Sequence, residues 1–226
     1  MNLMIFGTTG LCGAGFLASA EKSDQFSTIT SVTRRPVHTN HLKVKKFVED
    51  DVNRYLEIIS EEKPLVLFSA LATTHKAAGT ARAFVNTDYG INLKIAKAAK
   101  AAGVDTFVLV SSILASPLSH IVYFKTKGRL ERDILALKFP RTIFLRPGPL
   151  VGKRDRSMGL HNDVSATVFG HFQGSFLGNN LFFATTGSDV GTAAVRLILA
   201  SRSNTALPIV EIVNCKRILQ LASGKR

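Results

Sequence analysis

Cysteine is nearly missing from this chain: only Cys12 and Cys215 occur in 226 residues. A disulfide framework is thereby excluded, and a reducing compartment fits the chain. Long apolar runs are missing too, since none approaches the ~20 residues that a bilayer-spanning helix needs. No basic-then-apolar leader stands before the first β-rich run at Leu3–Phe6, which argues against a cleaved secretory or matrix-targeting segment. There is no internal repeat and no low-complexity linker. The paired Cys/His spacing of zinc sites, RNA-binding signatures and aromatic-basic interleaving are absent as well, so no metal site is expected and no specific nucleic-acid reader is indicated.

Acidic residues are the other shortage. Sixteen Asp and Glu against 29 Lys and Arg leave a formal net charge of +13. The surplus is uneven: from Lys138 to the end twelve basic residues stand against four acidic ones. Such a bias attracts nucleic acid, an anionic membrane surface or a polyanionic cofactor, and it equally describes a solvated face with no dedicated partner. What is present is ordinary for a globular protein. A hydrophobic fraction of 46% and a charged fraction of 20% suit a single domain with one substantial core.

Along the chain, short β-rich runs alternate with helical stretches. Strands are expected at Leu3–Phe6, Thr28–Thr33, Lys46–Val48, Leu65–Ser69, Thr106–Ser111 and Arg141–Arg146. Helices are expected at Leu11–Ala20, Val52–Ser60, Ala83–Ala102 and Lys125–Leu137. This alternation predicts an α/β fold, a doubly wound parallel sheet with right-handed crossovers and helices on both faces. Gly103 follows a lysine-rich helix end and serves as its stop. After Pro147 the pattern weakens and becomes rich in Gly, Phe and Asn. Residues up to about 150 therefore form the ligand-binding core, and the rest a small substrate-side lobe. In that lobe Asp189 is expected to cap a helix over Val190–Ala200. Phe169, Phe172, Phe176, Phe182 and Phe183 either line an apolar pocket, meet a membrane or partner, or simply pack.

Four groups of residues carry chemistry. The first strand runs straight into Gly7, Gly10 and Gly13, with Thr8, Thr9, Leu11 and Cys12 between them. Strand, glycine turn and helix start make a phosphate cradle, because glycine permits a sharp turn and close backbone approach while the helix N-terminus offers free N–H groups. Cys12 there reads as a small residue that fits. The second strand ends in Arg34 and Arg35, where a dinucleotide fold meets the adenosine ribose. Two guanidinium groups match a 2′-phosphate and point to NADP(H), the alternative being a surface pair on a basic protein. The fifth strand ends in Ser111 and Ser112, followed by Tyr123 and Lys127 at a four-residue spacing that puts phenol and ammonium on one helix face. A nearby ammonium favours the phenolate and so equips the tyrosine for proton transfer, with a serine hydroxyl to hold a carbonyl. Leu145 to Pro149 close the sixth strand, where the rigid Pro147 and Pro149 with Gly148 bring backbone toward the nicotinamide end of a bound cofactor, or form an ordinary turn.

These residues together resemble the short-chain dehydrogenase/reductase superfamily in its atypical, extended-like branch. Gly7 to Gly13, Ala70 to Thr74, Val110 to Ser112, Tyr123 to Glu131 and Arg146 to Lys153 look like the Tat-interacting-protein oxidoreductases, and closer still to the fungal mitochondrial outer-membrane members. The resemblance implies a Rossmann fold, NADPH binding and a Ser-Tyr-Lys catalytic set. Tyr123 is then the proton donor, Lys127 its electrostatic partner and ribose ligand, and Ser112 the carbonyl-orienting hydroxyl, with Ser111 its rival. Asp51 falls where relatives contact adenine, Leu71 and Ala72 flank the cofactor, and Asn86 is the candidate for a helix asparagine that holds a relay water. The implied activity is hydride transfer to a small carbonyl substrate. A non-catalytic NADP(H)-binding regulator or scaffold is the alternative. The fungal members imply peripheral attachment to the cytosolic face of the mitochondrial outer membrane.

Overall fold

A computed structural model of the chain describes residues 1–73, 78–152, 183–203 and 209–224. Its centre is a parallel sheet of seven strands: β1 (Asn2–Phe6), β2 (Thr28–Thr33), β3 (Val44–Val48), β4 (Val66–Ser69), β5 (Thr106–Val110), β6 (Arg141–Arg146) and β9 (Val210–Asn214). Their order across the sheet is β3-β2-β1-β4-β5-β6-β9, every pairing parallel. The order in which strands are added across the sheet therefore reverses between β1 and β4, and such a switch point opens a crevice at the carboxyl ends of the strands. The expected α/β architecture is what the chain adopts.

The central strands are continuous apolar runs because both their faces are covered. Leu3, Ile5, Val66, Phe68, Val108 and Ile143 point to one layer, where they meet α1 (Leu11–Glu21), α6 (Gly187–Ser203) and α7 (Cys215–Ser223). Met4, Phe6, Leu67, Phe107, Leu109 and Phe144 point to the other, against α2 (Val52–Glu62), α4 (Asn92–Ala101) and α5 (Val122–Leu135). The ring of Phe16 on α1 stacks on Phe68 at 3.9 Å between centroids.

Three differences from the sequence reading bear on the site. The helix expected over Ala83–Ala102 is broken into α3 (Ala81–Val85), a π-helical turn (Asn86–Ile91) and α4. Asp189 does not cap α6 from outside. It lies in the first turn and completes a reciprocal box with Thr186, accepting from the Thr186 amide at 2.8 Å while its own amide donates to the Thr186 hydroxyl at 3.1 Å. The last third also adds β9 and α7, together with a short parallel pair, β7 (Leu150–Val151) and β8 (Thr185–Thr186).

Helix α1 is held by backbone contact. A Cβ on Gly15 would lie 2.0 Å from the Gly187 carbonyl oxygen, and one on Gly191 would lie 2.3 Å from the Gly15 carbonyl carbon. Only small residues let two helices approach so closely, and this crossing sets where the N-terminus of α1 points.

Candidate functional site

The turn between β1 and α1 is built from glycines with different tasks. Gly7 has φ +86°, and a Cβ there would sit 2.8 Å from the Ala70 carbonyl carbon, so conformation and packing both demand glycine. A Cβ on Gly13 would lie 2.1 Å from the Gly7 oxygen. Gly10 is exposed, and a Cβ would meet only the Gly7 oxygen, at 3.4 Å. It occupies the N-cap of α1, and no side chain caps that helix, which leaves first-turn N–H groups for an anion. Thr8 is buried, its hydroxyl 2.7 Å from that of Ser31. Thr9 and Leu11 are half-buried at the rim, while Cys12 is buried in the first turn of the helix. Gly10→Ala is thus expected to lower stability by no more than about 1 kcal/mol, which its urea midpoint measures.

Arg34 and Arg35 follow β2 and are both exposed, and the Thr33 hydroxyl donates to the Arg35 carbonyl at 2.6 Å. Burial raises the Tyr55 phenol above its ordinary value, and the Arg34 charge partly opposes this. Asp51 caps α2 by accepting from the Asn53 amide at 2.8 Å, so its carboxylate already has a structural task.

At the other end of the crevice Tyr123 and Lys127 share one face of α5. Tyr123 is half-buried, its ring 5.9 Å from that of Phe84 and edge-on to Phe124 at 5.4 Å. Lys127 is only 2% exposed, and its ammonium lies 2.8 Å from Oδ1 of Asp88, which is fully buried on the π-helical turn. Burial pulls the Lys127 pKa down, but Asp88, Tyr123 and Cys12 together outweigh it and leave it raised. The other oxygen of Asp88 accepts from the Thr73 amide at 2.7 Å. One turn on, Asn92 donates to the Leu71 and Asp88 carbonyls and accepts from the Ser69 hydroxyl. The exit loop of β4, with Leu71 half-buried and Ala72 exposed, is therefore pinned from the π-helical turn and α4.

Asp88, Asn92 and Ser69 escaped the sequence reading. Their signal was there: Phe84, Asp88, Asn92, Ile95 and Ala99 are all buried at spacings of three and four, so two polar residues interrupt an apolar stripe. Asn86, the expected helix asparagine, is exposed. It belongs to the outer side of the π-helical turn. The two serines also separate. The Ser112 hydroxyl donates to the Ile113 carbonyl at 3.0 Å, whereas the buried Ser111 hydroxyl has no hydrogen-bond partner among the described residues. Gly148 needs its lack of a Cβ for a neighbour in the chain, since a Cβ there would lie 2.3 Å from the Phe183 carbonyl oxygen. The Pro147 carbonyl accepts from the Ile113 amide at 3.1 Å. Of the five lobe phenylalanines only Phe183 is described, at 42% exposed. The other four lie outside the described residues, as does Lys153.

A sequence profile of the HIM1 family matches residues 21–174. The chain belongs to the HIM1 family. Relatives of this family member extend over nearly its whole length. The mitochondrial protein FMP52 of Debaryomyces hansenii is 42% identical over 99% of both chains. FMP52 of Saccharomyces cerevisiae, also named mitochondrial, is 39% identical over 99% of this chain and 97% of its own. Among solved structures, the UDP-Glc/GlcNAc 4-epimerase of Campylobacter jejuni superposes with a TM-score of 0.71 at 13% identity, covering 97% of this chain and 82% of its own. MoeE5, solved with UDP-glucose and NAD, gives 0.67 at 16% identity over 99% and 81%. At such identities the likeness concerns the fold alone: this HIM1-family chain has a Rossmann-type, doubly wound parallel sheet.

Proposed function

We propose that the chain is an NADP(H)-dependent oxidoreductase acting on a small carbonyl compound, as its resemblance to the Tat-interacting-protein oxidoreductases implies. The observation that carries this reading is the pairing of Tyr123 with a buried, charged Lys127 in a crevice whose glycine turn is uncapped. The residues present fit a dinucleotide. Gly10 is exposed at the uncapped start of α1, where a phosphate would approach, and the buried Ser111 hydroxyl lacks a partner among the described residues. The turn from Gly7 to Gly13 would hold the pyrophosphate, Arg34 and Arg35 the 2′-phosphate, and Asp51 the adenine edge. Leu71 and Ala72 would flank the cofactor, Lys127 would reach the nicotinamide ribose, and Pro147 and Gly148 would border its far end. A dinucleotide held there would supply the hydride for the carbonyl carbon. Tyr123 gives its proton to the carbonyl oxygen, and the Lys127 ammonium stabilises the anion left on the phenol. Ser112 orients that oxygen, with Ser111 equally placed in sequence and free of a competing hydrogen bond among the described residues.

Its relatives being named mitochondrial, we assign this chain to mitochondria, and to peripheral attachment on the cytosolic face of the outer membrane. In support, no described helix is long and apolar enough to cross a membrane, and the basic surplus suits an anionic surface.

Affinity for NADPH and NADH, followed by cofactor fluorescence, tests the ligand half. NADPH is expected to bind tighter, and the Arg34→Ala, Arg35→Ala double variant to lose about tenfold or more for NADPH alone, since each charge-assisted contact contributes about 1.5–3 kcal/mol. Equal affinities in the unaltered protein would remove the NADP(H) assignment. Consumption of NADPH across a panel of aldehydes and ketones tests the reaction, and binding without turnover on any of them would favour a regulator.

A further inference from the structure

Lys127 is a lysine that the fold has withdrawn from water, and a buried ammonium without a counter-ion gives up its proton well below the ordinary lysine range. Three titratable groups face it: Asp88 from the π-helical turn, Tyr123 from its own helix and Cys12 from α1. Of these only a carboxylate is an anion at neutral pH in its ordinary state. The Oδ1 atom of Asp88 has no hydrogen-bond partner besides this ion pair among the described residues. Its Oδ2 atom is anchored by the Thr73 amide, and the Asp88 carbonyl is held by Asn92. The carboxylate is thus fixed from two sides with one oxygen reserved for Lys127.

We propose that Asp88 is the positioning residue of this site: its carboxylate holds Lys127 as a charged ammonium on the face it shares with Tyr123, and so sets how readily that phenol gives up its proton. The inference rests on the reading of Tyr123 and Lys127 given above. Because Asp88 also grips the β4 exit loop, the ammonium and the loop expected to flank the cofactor share one anchor.

The composition permits a direct test. The chain has three tyrosines and no tryptophan, so ultraviolet difference absorbance reads tyrosine ionisation with little background. Subtracting the titration of the matching Tyr123→Phe protein isolates Tyr123. In the cofactor-free protein, Asp88→Asn is expected to move the ionisation of Tyr123 to higher pH by about tenfold or more in proton concentration. At the alkaline pH where a phenol titrates, an unpaired buried Lys127 would be neutral and no longer favour the phenolate. Lys127→Met should move it in the same direction, the double variant no further than the larger single change, and Asp88→Glu should stay near the unaltered protein. An unmoved titration in Asp88→Asn, or one moved to lower pH, would overturn the proposal, because Lys127 would then hold its proton without Asp88. Additive effects of the two single changes would overturn it too. If Asp88→Asn fails to fold, the double variant should recover the fold, since no buried charge is left unpaired; a double variant that folds no better than the single sinks the idea. None of these readings requires turnover, so a protein that reduces no carbonyl overturns the reductase reading and leaves this one standing.

Discussion

On the reductase reading proposed above, replacing Tyr123 by phenylalanine is expected to lower NADPH-dependent carbonyl turnover by about 10²–10⁴-fold, the usual contribution of a positioned proton donor, while NADPH affinity stays close to that of the unaltered protein. The ring makes its contacts to Phe84 and Phe124 through its faces and edges, and phenylalanine keeps both. No hydrogen bond of the Tyr123 hydroxyl is present among the described residues to be lost. The change therefore removes a proton source and little else. Steady-state rates at saturating NADPH, with affinity from fluorescence, resolve the two quantities. Equal turnover by both proteins would remove Tyr123 from the reaction.

Lys127→Met is expected to cost about 3–5 kcal/mol of stability at neutral pH, because it strands a fully buried carboxylate. The pH dependence carries a definite sign. Lys127 is raised above the ordinary lysine value of 10.5, so its pairing contributes fully below that value and is lost as pH rises through the still higher value in the folded protein. The gap between unaltered and variant proteins should hold through the neutral range and narrow only in stronger alkali. Urea unfolding at several pH values measures it. A neutral-pH gap under about 1 kcal/mol would place the pair with solvated surface bridges.

The two ends of the site were unequally legible in the sequence. The glycine turn announced itself because its constraint is local: Gly7 needs a positive φ and Gly13 must leave room for the Gly7 oxygen, so the residues that make the turn also mark it. The first six strands of the sheet are read to within two residues for the same reason, each being an apolar run bounded by turn residues. Asp88 was hidden because its meaning is tertiary. Nothing in the run from Asn86 to Ile91 announces a π-helical turn, and only folding brings that turn to the Thr73 amide and the Lys127 ammonium. Strand β9 escaped for a different reason. As an edge strand it leaves Val210 and Ile212 exposed with Val213 buried among the described residues, so its pattern resembles neither a buried run nor a clean alternation. Arg34 and Arg35 fall where expected, directly after β2.

The parallel pair formed by β7 and β8 has a consequence for the glycine turn. Leu150 lies opposite Thr185 and Val151 opposite Thr186, so two stretches distant in sequence are held side by side. Both flank Leu11 at the start of α1: a Cβ on Gly152 would contact the Leu11 side chain at 3.2 Å, and one on Gly187 would meet the Leu11 carbonyl oxygen at 2.1 Å. The first turn of α1 is thus clamped from the far end of the sequence, so a larger residue at position 187 would displace the glycine turn itself and not only the helix it opens.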